Sequence, residues 1–157
     1  MASRAIEDLT PRMQRKIILF ESRLEAEELH FKRSCTLRTH EEQSALWMRG
    51  RYPLEVVNAA YETVGLAPIT AEENKRPVTW VRTSIHESGE AVDYFQLVKG
   101  KASYDLKVDA DFDHIPDWKE FVEIAQMCGL EAGGSWEKQD WPHVQWKDDP
   151  WTSSNPV

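Results

Sequence analysis

An α+β fold, with a small antiparallel sheet flanked by helices, is what this sequence predicts. Three observations point to it. Runs with helical spacing and runs with two-residue alternation follow one another only loosely, without the regular strand–helix rhythm of a parallel sheet. Two strand candidates are joined by the short turn "VKGKAS", which makes a hairpin. The helical runs carry their own start and stop signals, so they stand as separate elements.

Taken in order, Thr10 before Pro11 reads as an N-cap and a first helical residue. Ile17, Ile18, Phe20 and Leu24 then repeat at helical spacing, so a helix is expected from about Pro11 to Leu29. "HFKRSCTL" is a short strand candidate. Thr39 with Glu42 forms a capping-box pattern and opens a helix through Leu46 and Trp47 that stops at Gly50. Pro53 starts "LEVVNAAYETVG", a helix ending at Gly65, and "LAPITAEENKRP" reads as a surface loop. Strands are expected around Val78–Arg82, Glu90–Leu97 and Ser103–Val108. Asp117 with Glu120 makes another capping pattern before "WKEFVEIAQMCG", a helix closing at Gly129. Gly133-Gly134 marks a turn and "HVQW" a last strand.

A chain of 157 residues suits one domain with a substantial core, and 41% hydrophobic with 29% charged residues is the composition of an ordinary soluble protein. A net charge of -8 argues against nucleic acid as a partner, because phosphate binding relies on Lys and Arg. It gives no electrostatic help on an anionic membrane or wall either. No run approaches the roughly 20 apolar residues needed to span a bilayer, so no membrane anchoring is expected. "MASRAIEDLTPRMQRK" holds no apolar run fit for a signal peptide, so synthesis in the cytosol is the expectation. Cys35 and Cys128, in "RSCTL" and "AQMCGL", read as buried free thiols.

The chemistry gathers around "SIHESGEAVD" and "GGSWEKQDWPHVQW". The "HE" at His86 is no helical zincin motif: Glu90 stands where the second histidine belongs, and Gly89 opposes a helix. Of the five histidines, His30 and His40 read as surface residues, whereas His86 and His143 each have a carboxylate close by at a strand. A catalytic zinc takes three protein ligands and keeps an open position for water. His86, Asp93 and His143 would supply two neutral nitrogens and one anionic oxygen, provided Gly89 lets the loop fold back toward the strand. Alternation puts Ala91, Asp93 and Phe95 on one face of that strand, with small Ala91 leaving room beside the ligand. Asp140, in "DWPH", is the candidate proton acceptor, because Pro142 forbids a plain ladder and re-aims the chain; Glu137 is second choice. The bland alternative is a hydrogen-bonded structural histidine and a turn-capping aspartate.

"S-x-H-x-x-G-x-A-V-D" at Ser84–Asp93, joined to "G-G-x-W…D-x-P-H" at Gly133–His143, resembles the M15 family of zinc peptidases. "SRAIEDLTP", "LRTHEEQSALWMRGR" and "PVTW" are similar to its phage endolysin branch of L-alanyl-D-glutamate endopeptidases. The resemblance implies a D-Ala-D-Ala-peptidase or hedgehog type of fold, zinc on His86, Asp93 and His143, and Asp140 as the catalytic carboxylate. It also implies a catalytic role for Arg38, whose guanidinium would steady an oxyanion or a substrate carboxylate, and supporting substrate contacts from Gln43 and Ser84. A surface arginine at a helix start is the other reading of Arg38. Two departures bear on substrate detail: "RTSIHES" lacks the glycine and asparagine common near the first ligand, and Ser135 replaces a frequent acidic residue.

The implied protein is a monomeric single-domain endopeptidase, residues 1–157, with no separate wall-binding domain. Its partner would be the peptidoglycan stem peptide, cut between L-Ala and D-Glu for host lysis. It would be made in the cytoplasm and act on the wall in the periplasm after release. A D-Ala-D-Ala carboxypeptidase or dipeptidase of the same fold is one rival, and a non-catalytic zinc-stabilised wall-binding module another.

One further motif stands apart. In "DADFDHIPDWKE", Asp109, Asp111, Asp113, Asp117 and Glu120 occupy positions one, three, five, nine and twelve of an EF-hand calcium loop. His114 stands at position six, where glycine is usual. A merely solvated acidic loop is the competing reading.

Overall fold

Each helix forms where its end signals and its apolar face coincide. In the computed structural model, which describes residues 2–148, α1 (Pro11–Ala26) starts where the Thr10 hydroxyl accepts the Met13 N–H. Its buried face is Met13, Ile17, Phe20 and Leu24. It ends three residues before Leu29 because Glu28 turns left-handed, at φ 57°, and the Leu29 N–H closes back on the Leu24 carbonyl. Without a glycine to mark it, that stop was not legible. The second helix, α2 (His40–Met48), is capped by Thr39, whose hydroxyl accepts the Glu42 N–H at 3.1 Å. After it, α3 (Leu54–Thr63) packs against α2 around Ala45, Val57 and Tyr61.

The sheet is antiparallel and five-stranded, with β1 (Phe31–Cys35), β2 (Ala91–Val98), β3 (Lys101–Ser103), β4 (Leu130–Ala132) and β5 (His143–Trp146). β2 is its axis: β1 lies along one edge, and β5 and β3 divide the other. Lys99 and Gly100 both take positive φ and make the tight turn into β3. Between β3 and β4, α4 (Asp117–Met127) buries Trp118, Phe121, Val122 and Ala125. The main core lies where α1 and α4 cover the sheet face bearing Val92, Tyr94, Leu130 and Val144. Phe20 meets both Tyr94 and Phe121 edge-on there, the arrangement that aromatic quadrupoles favour. Among the described residues no helix is long and apolar enough to cross a membrane. Cys35 and Cys128 are free and buried.

Three further local expectations are corrected, and one strand was not expected. Val78–Arg82 forms no strand, because side chains take its carbonyls: Gln43 Nε2 donates to Val81 O at 2.7 Å and Arg51 Nη1 to Thr79 O at 3.1 Å. The strand expected at Ser103–Val108 stops at Ser103. The Ser103 hydroxyl accepts the Asp105 N–H and the Asp105 carboxylate accepts the Lys107 N–H, so local turns win over the ladder. Asp117 and Glu120 make no capping box: Pro116 is the N-cap, and Asp117 turns its carboxylate toward β2. Leu130–Ala132, too short to show alternation, pairs with β5 as the edge strand.

Candidate metal centre

Strand register brings the first two groups together. Asp93 on β2 lies opposite Cys35 on β1 and opposite His143 on β5, so one row across the sheet reads Cys35, Asp93, His143. His86 arrives from outside the sheet, on a single 3-10 turn at Ile85–Ser88. Ser84 and Glu87 cap that turn reciprocally: Ser84 Oγ accepts the His86 N–H at 3.2 Å, and Glu87 accepts the Ser84 N–H at 2.5 Å. Gly89 ends the turn at φ 72°, and its carbonyl accepts the Thr10 N–H, which pins the loop to the start of α1. Glu90 strengthens the same joint by accepting from Thr10 Oγ1 at 2.8 Å and pairing with Arg12.

One ligand atom each from His86, Asp93 and His143 lies within 4.8 Å of the other two. His143 Nδ1 is 3.1 Å from Asp93 Oδ1, and His86 Nε2 is 3.2 Å from Asp93 Oδ2. The imidazole rings stand nearly perpendicular, 5.2 Å apart. His86 is 3% exposed, yet its Nε2 is not aligned for a hydrogen bond with anything. Its charged neighbour is the Asp93 carboxylate, so both imidazoles turn a nitrogen toward the same anion, and a cation between His86, Asp93 and His143 would satisfy all three. The outward nitrogens already have partners: Cys35 Sγ lies 3.7 Å from His86 Nδ1, and Gln145 Oε1 lies 2.8 Å from His143 Nε2. Outer contacts of this kind fix ring orientation in metal sites. Two nitrogens, one carboxylate and a polar surround fit zinc with an open position.

Electrostatics of the cluster run the same way. Burial alone would raise the Asp93 carboxyl, but the hydrogen bonds and charges of His143 and His86 hold it well below the usual carboxylate range. Burial would lower His86, but Asp93 and Cys35 outweigh it and bring the metal-free imidazole to about 9. Asp140 stands at the rim. Its side chain reaches solvent, yet the protein atoms packed around its carboxyl desolvate it, and Asp93 adds like charge; together these raise it above its ordinary value against the pull of His143 and His86. Its loop is held by two backbone bonds, Asp140 N–H to Gly133 O at 2.8 Å and His143 N–H to Asp140 O at 3.2 Å. Gly133 permits that approach, since any Cβ there would collide with the Asp140 carbonyl.

Arg38 sits beside this cluster. Its backbone N–H donates to His86 O at 3.2 Å, and its guanidinium donates to Gln43 Oε1 at 2.8 Å and approaches Cys35 Sγ at 3.7 Å. Arg38 Nε is buried with no protein acceptor. Gln43, fully buried, spans from Arg38 to Thr79 and Val81 and so links α2 to the following loop. Three neighbours were missed from sequence: Cys35, Gln145 and Trp136, whose ring lies 5.2 Å from that of His143. Only Gln145 had a signal, two residues past His143 and therefore on the same strand face.

No protein-family model matches the chain. Over 72 residues it is 38% identical to the peptidoglycan L-alanyl-D-glutamate endopeptidase CwlK of Bacillus subtilis, a match covering 43% of each chain. The chain thus spans under half the length of that curated relative. Among solved structures, the L-Ala D-Glu endopeptidase ChiX of Serratia marcescens superposes with a TM-score of 0.57 at 17% identity, over 100% of this chain and 93% of that one. The chain has the fold of the M15 peptidases. The vancomycin-resistance D,D-pentapeptidase VanY, solved in complex with Zn(II), shares this M15 fold at a TM-score of 0.51 and 15% identity, over 88% of this chain and 72% of that one.

Proposed function

We propose that the chain is a zinc-dependent peptidoglycan endopeptidase that hydrolyses the L-Ala–D-Glu bond of the stem peptide. The carrying observation is the convergence of His86 Nε2, Asp93 and His143 Nδ1, with both imidazoles buried against the one carboxylate, on a fold shared with peptidoglycan peptidases. His86, Asp93 and His143 would hold the ion. A bound zinc supplies Lewis acidity, polarising the scissile carbonyl and lowering the pKa of water toward about 7.

The chain's own groups do the remainder. Asp140, with a raised carboxyl beside the cluster, takes the proton of the attacking water and returns it to the leaving amine. Arg38 directs its free Nε donor at an anionic oxygen, either the developing oxyanion or a substrate carboxylate. Gln43 fixes the guanidinium plane, and Ser84 fixes the turn that carries His86. The L-Ala–D-Glu choice is supported by the matched stretch of the Bacillus relative and the full-length superposition of the Serratia one. A lytic role as a phage endolysin is supported by the likeness of "SRAIEDLTP", "LRTHEEQSALWMRGR" and "PVTW" to that branch.

D,D-carboxypeptidase activity is the second reading, favoured by the likeness to VanY. Mass spectrometry of digested peptidoglycan separates the two. New amino groups on D-Glu are expected; release of free D-Ala alone would refute the endopeptidase assignment. Asp140→Ala should abolish release while zinc content stays unchanged, and a fully active variant would remove Asp140 from the mechanism.

A further inference from the structure

The segment Asp109–Glu120 lies outside the His/Asp centre and is rich in carboxylates. Oxygens of Asp109, Asp111 and Asp117 lie within 4.8 Å of one another, and so do oxygens of Asp111, Asp113 and Glu120. The two sets share Asp111, so the five carboxylates form two adjoining triads. Among the described residues none of the five forms an ion pair with Lys or Arg.

An independent observation comes from burial. Asp117 is 1% exposed; its Oδ2 accepts from Gln96 Nε2 at 2.6 Å and from the Ala110 N–H at 3.1 Å, while its Oδ1 is buried without a partner. Asp111 Oδ1 and Glu120 Oε2 are likewise buried without partners. Three acceptor oxygens, one on Asp117 and one each on Asp111 and Glu120, are thus withdrawn from water without a protein partner, a cost that a cation held in these two triads would offset. The backbone follows the same plan. Asp109, at position one, accepts the N–H groups of Asp113 and His114, and His114, at position six, takes the left-handed φ of 70° that EF-hand loops reserve for glycine.

We propose that Asp109, Asp111, Asp113, Asp117 and Glu120 form a binding site for one calcium ion. An all-oxygen, multi-carboxylate set drawn from an irregular loop and the first turn of α4 suits calcium over the smaller magnesium, which keeps its own waters and an octahedral shell. Through Asp117 and Gln96 the ion would tie the loop to β2, three residues from Asp93 on the same strand. The site is independent of the peptidase reading, so either can fail without the other.

The test uses the full chain with zinc held constant. Terbium binding is read by luminescence sensitised through the neighbouring Trp118, and calcium binding by displacement of that signal and by the shift in Tm. Saturating calcium should displace terbium and raise Tm by about 5 °C or more. Glu120→Gln and Asp111→Asn should each weaken calcium at least tenfold, and both lie at partly exposed positions that tolerate a neutral side chain. Absence of a terbium signal and of any calcium-dependent Tm shift in the wild type would overturn the proposal. An equal response to magnesium would overturn the calcium assignment.

Discussion

Asp93 and Glu120 are both crowded carboxylates, and their surroundings push them in opposite directions. Around Asp93 the neighbours are imidazoles, which override burial and hold the carboxyl low. Around Glu120 burial and the carboxylates of Asp113, Asp111 and Asp117 add, and push it up to about 8. Both regions are short of positive charge, but by different amounts. The centre on the sheet partly neutralises itself through histidine; among the described residues the acidic cluster at the start of α4 forms no ion pair with Lys or Arg. On the proposed reading the first is a preformed pocket for a metal with nitrogen preference, and the second is a repulsive cluster that a hard cation would relieve.

The largest effect should come from cutting the first region. Asp93→Asn removes the only anionic ligand and the contact holding both rings; activity should fall by about 10³-fold or more together with bound zinc. Metal analysis beside an activity assay checks both. If zinc remains at full stoichiometry, the carboxylate is no ligand and the contrast between the regions is mistaken.

Next comes the packing that presents Asp140. Gly133→Ala forces a methyl group into the Asp140 carbonyl, and should cost about 1–3 kcal/mol of stability and slow catalysis with zinc still bound. Chemical denaturation and zinc content together show whether the damage is confined to the rim.

The second region gives a pH signature. Glu120 has a folded pKa above its unfolded value, so the unfolded chain releases this proton first as pH rises. Without calcium, stability should decline between about 4.5 and about 8 and then level off. The decline should be smaller in Glu120→Gln and in the presence of calcium, as read from Tm against pH. A flat difference between wild type and variant would mean the loop carboxylates do not crowd one another in solution.

The smallest effect has the opposite sign of pH dependence. The Arg12 hydrogen bond outweighs burial and lowers Glu90, so its stabilisation is complete above the unfolded carboxylate range and is lost as pH falls through and below it. Because Arg12 is largely exposed, the contribution should be no more than about 0.5–1 kcal/mol. Glu90→Gln should make the acid-side fall in Tm slightly shallower, with Asp93 still supplying most of it, and leave the neutral-to-basic slope untouched.

The two regions also differ in how far the sequence revealed them. The acidic loop is contiguous, so its carboxylate spacing could be read from "DADFDHIPDWKE" directly, whereas the left-handed φ at His114 could not, because histidine stands where glycine is usual. The other centre joins three segments; the stretch from Ser84 to Asp93 and the neighbourhood of His143 carried local signals, but nothing local said that they meet. Cys35 gave none: it meets His86 because β1 happens to pair with β2 in that register, which depends on contacts across 51 residues. Helices with polar caps, as at Thr10 and Thr39, were legible because the cap is a local hydrogen bond. The stop of α1 at Glu28 and the unpaired run at Val78–Arg82 were not, since both depend on tertiary partners that override local preference.

The most direct test is a crystal structure of the zinc-loaded protein with anomalous data collected at the zinc absorption edge. The account predicts a single strong peak about 2.0–2.2 Å from a nitrogen of His86, an oxygen of Asp93 and a nitrogen of His143. A peak on other side chains, or full zinc content with these three groups unligated, would contradict it.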